Sequence, residues 1–349
     1  MVAKHKMDLR CFRIHDARRG IRLARFGKTS TGPAAQRGTA NEEAYRLYLQ
    51  GIYGRLDPPE AIQRFEQAIQ LDPHYAQAWS GLALMHRRIG NQGRSTNRPE
   101  EYQKSMEAIN QALTLDPTSG DAHSMLCENK LFYEYDFDGA ERECKLAIEL
   151  DPNSSLAHQT YARYLSSQGR HDEAVAEGIT AVDVDPASLW SQFSYGISLH
   201  FARRYVEAAT QFKRTLTMDE DFGLAYMTLV TDLELSGNEA EAFEVWKKLM
   251  VRWGNDEKSI QEIKSAFQAE GWLGVRRAYD KRPEDSSKVY FHGAAGYAQM
   301  GMKDKAFEYL ERSFAGREIW IAFLKVDPRL DNIRDDPRYD ELLGRVGLK

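Results

Sequence analysis

"AIELDPNSSLAH" (147–158) is one of four versions of a single junction in this chain. The others are "AIQLDPHYAQAW" (68–79), "ALTLDPTSGDAH" (112–123) and "AVDVDPASLWSQ" (181–192). Proline disfavours helical dihedrals in the residue before it, yet is tolerated in the first turn of a helix, so each Asp-Pro pair stops one helix and admits the next. Pro73, Pro117, Pro152 and Pro186 are separated by 44, 35 and 34 residues, and Ala140, Ala174, Ala208 and Ala242 by 34 each time. Such a period marks an internal repeat. Within the units apolar residues return at three and four, as in "AIQRFEQAIQL" (61–71) and "AATQFKRTL" (208–216), which predicts amphipathic helices. Strand-like alternation is nearly absent. Gly169, Gly237 and Gly301 each lie five residues before Ala174, Ala242 and Ala306, where a tight turn between antiparallel helices needs a residue without a Cβ. The unit is therefore helix, turn, helix.

A helix pair of this length, with small residues at the crossing and a proline at the end, resembles the tetratricopeptide repeat, TPR. The resemblance covers about residues 42–314 and is strongest in "LAHQTYARYLSSQGRHDEAVAEGITAVDVDP" (156–186) and "LWSQFSYGISLHFARRYVEAATQFKRTLTMDE" (189–220). Ala162 and Gly196 fill the small first-helix position there, and Ala174 and Ala208 the second. It implies an all-α fold, a right-handed α-solenoid of stacked antiparallel helix pairs burying a continuous core. Residues 41–254 form the array of about six units, with a loop insertion near 91–99 inside "GNQGRSTNRPE". Residues 255–349 hold a divergent helical segment, a last TPR-like pair and a C-terminal cap. Gly178 stands where Phe65, Phe212 and Trp246 stand in other units, which predicts a thinner core at that point. A looser likeness joins "EEAYRLYLQGIYGRLDPPEAIQRFEQAI" (42–69) and "FLKVDPRLDNIRDDPRYDELLGRVGL" (323–348) to the TPR region of certain bacterial regulators. In those proteins it follows a winged-helix, kinase or adenylate-cyclase domain, for which residues 1–40 leave no room.

Charge is uneven along the 349 residues. Residues 1–40 carry ten Lys/Arg and two Asp/Glu, a balance of +8, and the rest of the chain carries −13. The basic segment reads as a solvated, disordered tail, with nucleic acid, an acidic lipid surface or an import receptor as alternatives. Hydrophobic residues at 42% suit a packed core, and no apolar run approaches the roughly 20 residues of a membrane span. Cys11, Cys127 and Cys144 are too scattered for a disulfide framework, which points to a reducing, cytoplasmic location. Cys127 and Cys144 fall on repeat core positions and read as buried, inert thiols.

Catalytic patterns fail on inspection. "GKT" (27–29) lacks its partner glycine, since Arg22 stands five residues before Gly27. "EYDFDG" (134–139) is no calcium loop, because Lys145 occupies the place of the bidentate glutamate, and it reads as the turn opening a helix. His123 and His158 fall on first-helix packing positions. No enzyme, cofactor or metal site is expected.

Function must then come from surface. First helices of a solenoid line its concave side, and the repeat register places Arg87, Glu128, Gln159, Arg163, Trp190, Phe193 and Met227 along it. Trp190, Phe193 and Met227 would form the apolar anchor of a groove for a partner's peptide or helix, with Arg87 and Arg163 available to acidic residues. The alternative is that these aromatics pack between units. The paired Lys and Asn of chaperone-binding TPR domains are not evident. A protein or peptide is the expected partner of this adaptor. The runner-up is a regulatory protein that meets nucleic acid through residues 1–40 only; self-association is also open. An open solenoid needs a sealed end, and Trp320, Phe323 and Leu324 are expected to cover a last pair containing Tyr297, Phe307 and Leu310, with Leu342, Leu343 and Val346 across them. The competing reading makes that cluster a docking patch.

Overall fold

The computed structural model describes residues 38–54, 56–91, 97–281 and 289–348. All regular elements there are helical. Six pairs fill 41–254: α1 (Glu42–Tyr53) with α2 (Pro58–Leu71), α3 (Ala76–Gly90) with α4 (Arg98–Leu115), and α5 (Gly120–Asn129) with α6 (Phe137–Leu150). Then come α7 (Ser155–Gln168) with α8 (His171–Val184), α9 (Leu189–Phe201) with α10 (Tyr205–Met218), and α11 (Gly223–Leu235) with α12 (Glu239–Arg252). The basic segment lies outside the described residues up to position 37, as does the core of the insertion, 92–96. Helix α4 already begins at Arg98, with Pro99 in its first turn, so the insertion is shorter than the sequence suggests.

The repeated junction is a unit of local hydrogen bonding. Asp72, Asp116, Asp151 and Asp185 each accept, through Oδ1, the backbone N–H two residues on, at 3.0, 3.0, 3.1 and 3.2 Å. This Asx turn leads the chain out of one helix. Ser119, Ser154 and Ser188 then cap the next by accepting the N–H of Ala122, Ala157 and Ser191. The proline carbonyl is satisfied by a side chain six residues on: Trp79 Nε1 and Gln192 Nε2 donate to Pro73 and Pro186 at 3.1 and 2.9 Å. His123 and His158 do the same to Pro117 and Pro152 through Nε2, at 3.1 and 2.9 Å. Their Nδ1 atoms face Glu143 and Glu177 at 2.7 and 2.6 Å. The Glu177 carboxylate holds His158 above its ordinary pKa, against the opposing effect of burial. Both histidines are structural pins.

Crossings are close where the register puts small residues. A Cβ on Gly196 would lie 2.5 Å from Phe212 Cε1, and one on Gly81 2.4 Å from Phe65 Cε1. At Gly178 the expected thinning does not occur, because α9 moves in: a Cβ there would meet Tyr195 Cα at 3.1 Å. Cys127 and Cys144 are buried as expected, but they are joined as a disulfide between α5 and α6. They are therefore not free thiols, and they lend no weight to a reducing compartment. Labelling the denatured, unreduced chain with iodoacetamide should modify Cys11 alone; modification of all three would remove the bond. "EYDFDG" does open a helix, with Asp136 Oδ1 accepting the Gly139 N–H at 2.9 Å to cap α6.

Beyond the array, α13 (Glu257–Asp280) is broken at Gly271, whose φ of 58° suits glycine. Helices α14 (Tyr290–Gln299) and α15 (Lys303–Ala315) form the last pair. The chain then turns back through 3₁₀ segments Ile319–Phe323 and Pro328–Ile333 into α16 (Pro337–Val346). One side of this arm covers the last pair. The Glu318 carboxylate accepts the N–H groups of Tyr290 and Phe291, both at 2.9 Å, at the start of α14. Arg338 and Arg345 lie over the rings of Phe307 and Phe314 at 4.3 and 5.2 Å.

The other side meets repeats far back in the chain. Phe323 stacks on Phe201 of α9 at 4.5 Å and tilts against Phe132 at 5.9 Å. Arg98 donates to the Arg317 carbonyl at 2.7 Å, and Tyr135 to that of Glu318 at 3.2 Å. Arg203 grips Asp331 through both terminal nitrogens, at 2.7 and 2.9 Å. The arm is thus more than the terminal cap expected. Phe323 and Leu324 are buried, but Phe323 faces Phe201 rather than the last pair alone, and Trp320 is only half-buried, 5.1 Å from His292. The bend of the array brings its end against the far edges of α5, α7 and α9, and the arm buries both apolar faces at once. One core cluster consequently runs from Cys127 to Leu348.

Candidate protein-interaction face

The polar half of the projected face is an ion cluster. Arg87, Glu128 and Arg163 come from three successive first helices, α3, α5 and α7. Glu128 is fully buried; its Oε2 lies 2.5 Å from Arg87 Nε, and its Oε1 meets Arg163 Nη2. The Arg163 guanidinium also lies 5.7 Å over the Phe132 ring. Gln159 is buried too, its amide donating to Ser191 Oγ at 2.9 Å. Glu128 and Gln159 are therefore inside the molecule rather than on an accessible wall, and the two arginines are engaged by an internal carboxylate. A buried carboxylate demands such partners. The register identifies the face of each helix but not how closely neighbouring helices approach.

Arg88 escaped the projection. Its guanidinium lies 5.1 Å over the Trp190 ring, a cation–π contact linking the end of α3 to the start of α9. Burial first, and the adjacent Arg87 second, lower its pKa to about 10, so it stays charged at neutral pH. The only signal for it was the Arg87-Arg88 doublet, of which a helical projection selects one member.

The apolar half forms an aromatic cluster. Trp190 meets Phe193 and Phe222 edge to face, at 6.1 and 5.2 Å, and Phe193 meets Phe222 at 5.1 Å. Phe193 is buried, whereas Trp190 and Met227 are partly covered and border the core. Phe222 was not foreseen because it precedes α11, outside the helical register.

A second polar cluster sits under the returning arm. His200 Nδ1 lies 2.6 Å from the fully buried Asp232, whose pKa is raised by burial. Burial alone would also raise Asp327, but Arg329, at 2.6 Å, brings it below the ordinary carboxylate value. Arg329 Nη1 donates to His292 Nδ1 at 3.1 Å, which requires that nitrogen to be unprotonated. Burial and the Arg329 charge push His292 down to about 3. An unfolded histidine titrates near 6.5, so the unfolded chain gains a proton that the fold refuses. Stability should fall as pH drops below about 6.5, by up to about 1.4 kcal/mol per unit from this residue. His292→Gln should flatten that acid limb in urea titrations; an unchanged limb would remove the role. Among the described residues no group of three or more His, Cys, Asp or Glu side chains is arranged to hold a metal. Nor is any helix there long and apolar enough to cross a membrane.

Comparison with known proteins agrees with this architecture. Family models of the tetratricopeptide repeat match residues 53–120 and 143–176. The DnaJ homolog subfamily C member 7 homolog of Dictyostelium discoideum is 25% identical over 251 residues, 69% of this chain and 43% of that protein. The chain thus spans less than half the length of that curated relative. A human IFIT1 dimer with PPP-AAAA is similar in fold at a TM-score of 0.50 and 17% identity, over 84% of this chain and 69% of that one. PilF of Pseudomonas aeruginosa aligns at a TM-score of 0.45 and 18% identity, over 60% of this chain and 94% of that one. With its 34-residue period, Asp-Pro junctions, small-residue crossings and the two family-model matches, the chain is a tetratricopeptide-repeat protein.

Proposed function

We propose that this protein is a non-catalytic adaptor that holds a peptide or helix of a partner protein along its first helices. The observation that carries the reading is the partly covered pair Trp190 and Met227, on the successive first helices α9 and α11 beside a rigid aromatic cluster. A large, half-covered aromatic such as Trp190 is a frequent anchor of such contacts, and the flexible thioether of Met227 can adapt to a segment laid beside it. Phe193 acts as the floor, and Arg87 and Arg163, fixed from within by the buried Glu128, stand beside it. A photo-crosslinking amino acid at position 190 or 227, introduced in the native host, should capture one protein. The same group at Val206, 68% exposed on the second helix α10, should not. Equal capture at all three positions, or none at 190 and 227, would overturn the reading.

A second reading rests on the +8 balance of residues 1–40. In it that segment contacts nucleic acid while the repeats recruit. Binding should then weaken steeply with salt and vanish when the segment is deleted, whereas adaptor binding should survive the deletion.

A further inference from the structure

The ion cluster is unbalanced. Arg87 and Arg163 share the carboxylate of Glu128, while Arg88, next to Arg87, lies over Trp190 with its charge acting on Arg163. Arg87 and Arg163 are each paired with Glu128, one on each oxygen. Arg88 donates to no oxygen among the described residues; its contact is the Trp190 ring. Three guanidiniums against one carboxylate leave a surplus of positive charge in a recess where water screens poorly. Arginine forks bind carboxylate and phosphate oxygens in pairs, and a cation–π contact with Trp190 leaves the edge of the Arg88 fork free to do so.

We propose that Arg88 and Arg163, steadied by Arg87 and Glu128, form a binding site for a compact oxyanion. This deepens the adaptor reading and rests on it in one respect: a partner segment anchored at Trp190 would place a Glu or Asp carboxylate in this recess. Free inorganic phosphate is the other source of the same chemistry. Glu128 is then a built-in counter-charge that keeps Arg87 and Arg163 from repelling the pair apart, and the incoming anion completes the neutralisation.

The test is the melting temperature of the full chain at constant ionic strength, titrated with inorganic phosphate or with hexaglutamate against potassium chloride. A ligand that binds only the folded state raises the melting point in a saturable way. Either ligand should do so, and Arg88→Gln should weaken the apparent affinity about tenfold or more. Arg88→Lys, which keeps the charge but loses the fork, should fall between. Arg204→Gln, which removes an exposed pairing with Glu207, should change nothing. A saturable shift with hexaglutamate that competes with phosphate assigns the site to a partner's acidic segment; a shift with phosphate alone assigns it to the free anion. No shift beyond that of chloride, or a full shift in Arg88→Gln, would overturn the site. Crosslinking at 190 and 227 reads the adaptor role independently, so the anion site can fail while that role stands.

Discussion

Phe323→Ala should cost about 3–5 kcal/mol, the range of a buried aromatic truncated where its surroundings cannot collapse. Phe323 is 3% exposed, and its ring is held between Phe201, which it stacks on, and Phe132. Removing it leaves a cavity between the returning arm and the far edge of the array, lined by Phe132 and by Phe201 of α9. Trp320→Ala should cost clearly less, because Trp320 is half-buried at the rim beside His292. That order distinguishes the arm from a simple end cap, for which Trp320 would be the heavier loss. Urea denaturation of the two variants decides it; equal or inverted losses would mean that the arm does not seat on Phe201. The same contacts bear on fragments. A chain ending at Gly254 looks self-sufficient from repeat periodicity, since solenoid units contact mainly their neighbours. In the structure that fragment lacks Phe323, Leu324 and Leu330, all buried. It should keep helical circular dichroism yet melt lower and aggregate through the exposed Phe132 and Phe201 edge.

What the sequence disclosed and what it hid follow from range. The Asp-Pro junctions are local devices: an Asx turn, a serine cap and a side chain returning to a carbonyl six residues back all act within one turn and its neighbour. Their repetition was sufficient to establish helix pairs, and the small residues at the crossings followed from the period. The closure was not legible, because the contact between Arg98 and Arg317 spans 219 residues and depends on curvature summed over many units. The Cys127–Cys144 bond spans only 17 residues, yet the spacing carries no signal until α5 packs on α6. On the inner face the register named the correct first-helix faces but not their depth. It set Glu128 and Gln159 on an open wall, although neighbouring helices bury both. It also passed over Arg88, the guanidinium whose fork has no oxygen partner among the described residues. A projection onto one helix cannot tell a side chain that reaches across to another helix from one that reaches into solvent.

Gly196→Leu tests the helix crossing itself. Gly196 of α9 faces the ring of Phe212, which is fully buried, and even a Cβ would lie 2.5 Å from Cε1 and 2.8 Å from Cζ. Neither group can move cheaply, since Phe212 also touches Phe193 at 5.6 Å within the aromatic cluster. The larger side chain must therefore push α9 from α10, at a cost of about 3 kcal/mol, the upper end of the overpacking range. Gly196→Ala should lose less but still lose, although alanine favours a helix interior over glycine by up to about 1 kcal/mol. Gly296 of α14 supplies the contrast. Nothing lies within 4 Å of a Cβ placed there, so Gly296→Ala should keep the propensity gain and raise the melting temperature. Phe212→Leu in the Gly196→Leu background should recover part of the loss, a coupling of roughly 0.5–3 kcal/mol for residues in contact. Thermal melts followed by circular dichroism read all four variants. If Gly196→Ala and Gly296→Ala shift the melting point in the same direction, the close crossing of α9 and α10 is not where the stability of this pair resides.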